Sequence, residues 1–104
     1  MSIKLFCVVK GTTTPFSVVI DSGETVDDLK NAIKAKKPND FASIDADRLR
    51  LWQVEIPDDR NDLIANPALP DNDELQATKR IRRYFPEQPL DDYIHVIVEV
   101  PTGN

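Results

Sequence analysis

The sequence is short of the residues that build covalently or metal-held folds. It has one cysteine, Cys7, and one histidine, His95. A single cysteine excludes an internal disulfide framework, and one cysteine with one histidine falls short of the donor set of a structural zinc site. Glycine is scarce, with three in the chain, and there is no G-x-G-x-x-G, P-loop or G-x-S-x-G nucleophile elbow. No apolar run approaches the roughly 18 residues that a membrane-spanning helix needs. Leu5–Val9 is too short for the core of a secretory signal, and it reads as a strand the fold requires, so no conventional signal peptide is visible.

What remains is ordinary globular material. Hydrophobic residues make up 40% and charged residues 30% of 104 residues, which argues against wholesale disorder and for one domain spanning 1–104. The formal net charge is −5. Residues 1–56 carry 8 basic and 8 acidic side chains, and residues 57–104 carry 5 and 10, so the excess acid lies in the second half. That balance disfavours nucleic acid as a partner.

Ile3, Leu5, Cys7 and Val9 alternate with Lys4, Phe6, Val8 and Lys10, a strand period. Gly11–Pro15 reads as a turn, and Phe16, Val18 and Ile20 alternate again, predicting an antiparallel hairpin. Thr25 is a candidate N-cap, with Asp27 and Asp28 in the first turn of a helix whose apolar face is Val26, Leu29 and Ile33. Lys34, Lys36 and Lys37 gather at its end, and Pro38 stops it. Asp40–Asp47 reads as a linker, Arg48–Ile56 as a third strand, and Pro57–Asp73 as an irregular segment anchored by Leu63 and Ile64. Glu74–Phe85 is read as a short helix with Leu75, Thr78, Ile81 and Phe85 on one face. Ile94–Val100 is a last strand, apolar enough to sit at the centre of a sheet. Hairpin, helix and later strands make an α+β chain of the β-grasp (ubiquitin-like) plan, with one main amphipathic helix across a mixed sheet and the last strand parallel to the first. A ferredoxin-like fold would need a second full helix.

Three stretches together resemble the N-terminal domain of Crinkler effectors, a family of oomycetes and some fungi. The first is Ile3–Cys7 with Phe16-Ser17-Val18 and Thr25–Lys34. The second is Ile44–Trp52, and the third is Tyr84-Phe85-Pro86 with Ile94–Pro101. In that family the middle stretch carries an LFLAK motif associated with delivery into host cells. Here Leu51 matches and Trp52 stands for another aromatic, but Gln53-Val54-Glu55-Ile56 replaces Leu-Ala-Lys and its surroundings. The pattern looks closer to the fungal variants than to the oomycete form. His95, Val96, Ile97, Val98, Glu99, Val100 and Pro101 resemble the HVLV…P signature that closes the family's N-terminal domain.

The resemblance implies a targeting, translocation and protein-interaction module without catalysis of its own, at the front of a longer secreted effector. It implies action in the host cell, and for the full-length effector in the host nucleus. Leu51–Ile56 and His95–Pro101 would be its defining segments. Lys79, Arg80, Arg82 and Arg83 form a basic cluster that could serve nuclear import or phosphate binding, although a solvated helical face explains it as well. Asp58, Asp59 and Asp62, and Asp71, Asp73 and Glu74, lack the twelve-residue pattern of a calcium loop. Cys7 on an apolar strand face reads as core, Trp52 as a packing residue or partner anchor, and His95 as a structural or surface residue. No cofactor, small-molecule substrate or membrane span is expected. The expected partners are proteins, and exposed sheet edges allow a homodimer. The other reading is a stand-alone ubiquitin-like adaptor or modifier. Conjugation would need a Gly-Gly tail, whereas the chain ends Pro101-Thr102-Gly103-Asn104.

Overall fold

A computed structural model describes residues 2–12, 14–39, 41, 44–65, 74–90 and 92–100. Four strands form a mixed sheet in the order β2-β1-β4-β3. They are β1 (Ser2–Val9), β2 (Phe16–Asp21), β3 (Arg50–Pro57) and β4 (Tyr93–Glu99). β1 and β2 form the expected antiparallel hairpin, with Ile3 opposite Ile20 and Leu5 opposite Val18. Gly11 takes φ 93° in the connecting turn, a backbone region that costs a side chain dearly. β4 lies parallel to β1, with Cys7 opposite Val96 and Val9 opposite Val98, and antiparallel to β3. This is the β-grasp arrangement, and the apolar run Ile94–Val98 occupies the centre of the sheet as its composition demands.

Helix α1 (Val26–Lys36) crosses one face. Thr25 caps it through a capping box with Asp28: the Asp28 N–H donates to Thr25 Oγ1 at 3.3 Å, and the Thr25 N–H donates to Asp28 Oδ2 at 3.1 Å. Val26, Leu29 and Ile33 are fully buried against Leu5, Cys7, Val18, Val96 and Val98. Each such side chain contributes about 1.5–3 kcal/mol through burial.

Two elements depart from the sequence expectation. Glu74–Phe85 is not one helix. Only α3 (Ile81–Tyr84) is helical, and the residues before it pair by backbone with the start of α1. The N–H groups of Val26 and Asp27 donate to the carbonyls of Lys79 and Ala77, and the Ile81 and Arg82 N–H groups donate to Glu24 and Ser22. The first amides of α1 have no partner within their own helix. Ala77 and Lys79 supply those partners from a turn ahead of α3, so a single helix over 74–85 does not form. Pro57–Asp73, expected to be irregular, contains a short helix α2 (Asn61–Ala65). Ile64 is buried there while Leu63 is exposed, so of the two expected anchors Ile64 is the one that packs.

That anchor covers the second face of the sheet. Val8, Trp52, Ile64, Ile94 and Ile97 form a cluster separate from the α1 core, with Phe6, Val54 and Ile56 packed around it. Trp52 is therefore core, at 2% exposure.

Candidate functional site

Of the residues singled out in the sequence, Gln53, Val54, Glu55, Tyr84, Phe85, Pro86 and His95 line one cleft, whereas Leu51, Trp52, Ile56 and the rest of the closing strand do not. Its walls are β3 from Gln53 to Glu55, the start of β4 at Tyr93 and His95, and the loop that runs from Tyr84 to Leu90. The cleft measures about 700 Å³, within the range of peptide- and ligand-sized sites.

β3 builds its wall through an irregularity. Gln53 pairs with Val96 and Ile56 pairs with Ile94, so three steps on β3 match two on β4. Such a bulge re-aims side chains. Before it, Leu51 enters the α1 core and Trp52 the opposite cluster. Across it, Gln53 and Glu55 are exposed on the cleft side while Val54 and Ile56 pack against the second cluster. The segment in the position of the LFLAK motif is thus half core and half surface, and Glu55 holds a place on the cleft wall.

The loop wall is fixed by hydrogen bonds that nothing in the sequence announced. The Gln53 side-chain amide donates to the Tyr84 carbonyl at 2.7 Å, and the Gln76 N–H donates to the Tyr84 hydroxyl oxygen at 3.1 Å. Gln88 acts as a strand residue would. Its Nε2 donates to the Lys4 carbonyl and its Oε1 accepts from the Lys4 N–H, both at 3.0 Å. These bonds fill a seam, because the β1–β4 ladder extends only from Cys7 and Val96 to Val9 and Val98.

His95 closes the same seam. Its Nδ1 accepts from the Phe6 N–H at 3.1 Å, and its Nε2 lies 2.7 Å from the Leu90 carbonyl. A ring nitrogen that accepts a peptide N–H carries no proton, so the proton sits on Nε2 and points to Leu90. The ring is 3% exposed, and Phe6 packs beside it with centroids 6.1 Å apart. His95 is the structural histidine of the two readings, not a surface one. Cys7 is fully buried, and burial pushes its thiol up to about 12, far from the thiolate that nucleophilic chemistry needs.

The rest of the closing strand is framework. Val96 and Val98 belong to the α1 core and Ile97 to the opposite cluster. Val100 packs against the α1 core, and Pro101 lies outside the described residues. Glu99 accepts from Lys10 at 3.1 Å and from Arg50 at 3.2 Å; Arg50 also reaches Glu74 at 2.9 Å and lies 4.8 Å above the Trp52 ring.

The basic cluster does not share one helical face. Lys79 and Arg80 precede α3, and the Arg80 guanidinium donates to the Gly23 carbonyl, while Arg82 and Arg83 are exposed on α3. The cluster is thereby placed against the start of α1 and away from the cleft. Asp71 and Asp73 lie outside the described residues, and among those described no group of carboxylates, histidine and cysteine has the arrangement of a metal site.

The chain matches the Crinkler effector protein N-terminal domain over residues 3–99. It belongs to that family. It is 48% identical over 103 residues to Crinkler effector protein 1 of Rhizophagus irregularis, covering 97% of this chain and 22% of that protein. It is 35% identical over 106 residues to Crinkler effector protein 16 of Phytophthora infestans, covering 91% and 17%. A 51-residue stretch, 48% of this chain and 6% of the relative, is 61% identical to Crinkler effector protein 108 of Phytophthora sojae. Over nearly the full chain the fungal relative is thus more similar than the oomycete one, in keeping with the sequence reading. The Crinkler chain spans about a fifth of the length of the relatives it matches end to end. A solved structure from Arabidopsis thaliana, obtained by combining evolutionary couplings with sparse NMR data, shares the fold. It has a TM-score of 0.58 at 14% identity, covering 99% of this chain and 90% of that one.

Proposed function

We propose that this Crinkler domain is the non-catalytic leading module of a secreted effector, one that directs the protein into host cells and binds a protein there. Any chemistry of the full-length effector, and its residence in the host nucleus, would then belong with sequence that follows this domain. The observation that carries this reading is the convergence of Gln53–Glu55, Tyr84–Leu90 and Tyr93–His95 on one cleft. Tyr84, Phe85, Pro86 and His95 of the family resemblance line that cleft beside Gln53–Glu55, which depart from the family's pattern. Two further observations support it. Both ring nitrogens of the histidine are committed to backbone groups, and the cysteine is a buried thiol, so neither is available for catalysis.

A delivery comparison tests the proposal. Residues 1–104 are placed ahead of a fluorescent reporter and expressed in an organism that secretes such effectors, beside the same reporter behind an unrelated domain of equal size. Accumulation of the reporter in host cells only behind residues 1–104, scored by microscopy and fractionation, is the expected result. Equal accumulation from both proteins would refute the targeting role.

A further inference from the structure

The cleft has a charge that its neighbours do not cancel. Glu55, Glu74 and Glu87 line it, and among the described residues no lysine or arginine does. Glu74 is already paired with Arg50 at 2.9 Å. Glu55 and Glu87 are exposed and have no ion-pair partner among the described residues. Tyr84 and Tyr93, both half-buried, line it too and offer apolar and π-rich surface, with Leu90 exposed beside them. Such surface suits the aliphatic stem of a lysine or arginine, whose charged end can then reach a carboxylate.

We infer that this cleft binds an extended, lysine- or arginine-bearing segment of a partner protein. The inference rests on the targeting-module reading above and names the chemistry of its partner. Size argues for a chain segment: about 700 Å³ admits a few side chains and no folded domain. Charge argues for basic residues, since the chain as a whole carries −5 and the lining concentrates that sign. The walls are fixed before any partner arrives. Gln53 and Gln76 hold Tyr84, and His95 holds Leu90, so little ordering cost falls on this domain when the segment docks. The basic cluster of Lys79, Arg80, Arg82 and Arg83 does not line the cleft.

The test is an NMR titration of the 15N-labelled 104-residue chain with two acetylated hexapeptides, one alternating arginine and valine, the other glutamate and valine, at low salt. The arginine peptide is expected to shift the amides of Gln53–Glu55, Gln76, Glu87, Gln88 and Leu90, and the glutamate peptide to shift none of them. The double variant Glu55→Gln with Glu87→Gln should bind the arginine peptide about fivefold or more weakly, as expected for losing two exposed charge contacts. Asp58→Asn with Asp59→Asn changes the net charge equally, lies outside the cleft lining, and should leave affinity unchanged. Shifts spread over the surface, or equal weakening by both double variants, would mean attraction to overall charge and would overturn the inference. Because the titration reads binding in the isolated chain, its result is independent of delivery. Cleft binding without delivery of the reporter would sink the targeting role alone, and delivery without cleft binding would sink this inference alone.

Discussion

His95 and Cys7 are the two side chains a chemist would first suspect, and the surroundings of each remove it from chemistry. The imidazole supplies an acceptor to Phe6 N–H and a donor to Leu90 C=O inside the sheet seam. A buried donor and a buried acceptor left empty cost about 1–3 kcal/mol. His95→Ala should therefore lower the stability read from urea melts by that much at unchanged m-value, and 15N NMR of the native ring should show a bare Nδ1 and a protonated Nε2. For Cys7 the sign follows from burial. An unfolded cysteine ionises near 9, whereas the folded one holds its proton to about 12. Below pH 9 both states are protonated and stability does not depend on this group. Between pH 9 and 12 the unfolded chain gains by releasing the proton, so stability falls as pH rises. Urea midpoints measured from about pH 8 to 11 should decline more steeply for the native chain than for Cys7→Ala, and iodoacetamide at about pH 8 should label Cys7 only in denaturant.

Among the elements, β3 carries the most diverse duties. Trp52 fills the cluster under α2, and beyond it the bulge brings Glu55 to the cleft. Trp52→Ala should cost about 3–5 kcal/mol, as large-to-small changes in a core do. Glu55→Ala, at an exposed position, should stay within about 0.5 kcal/mol by thermal or urea melts. The contrast separates scaffold from surface within one segment. It also shows what local pattern can and cannot tell. α1 is legible because Thr25, the acidic first turn and the Val26/Leu29/Ile33 spacing all agree. The strands are legible from alternation, and the central place of β4 from its apolar run. Residues 74–80 carry a helical pattern yet form no helix, because Glu74 and Leu75 pair with β3 and the Ala77 and Lys79 carbonyls are taken by the start of α1, some fifty residues away. No window of sequence contains that demand. The bonds of the Gln88 amide are hidden for the same reason, since they answer a vacancy created by distant strands, whereas Ile64 is legible as an anchor though not the cluster it joins.

At the scale of the whole molecule, the sheet is covered on both faces, by α1 on one and by α2 with its surrounding apolar side chains on the other. The cleft is bounded by the bulged part of β3, the start of β4 and the Tyr84–Leu90 loop. The ladder between β1 and β4 runs from Cys7 and Val96 to Val9 and Val98, extended by the side chains of His95 and Gln88. Because β1 and β4 run the same way side by side, a force pulling Ser2 and Val100 apart would load this seam lengthwise. Its bonds would have to yield nearly together instead of peeling one by one. The domain would then act as a mechanical latch, firm against tension between its two ends. The imidazole and the glutamine amide would be rungs of that latch, and any passage that threads the chain through a narrow opening would have to break the seam as a unit.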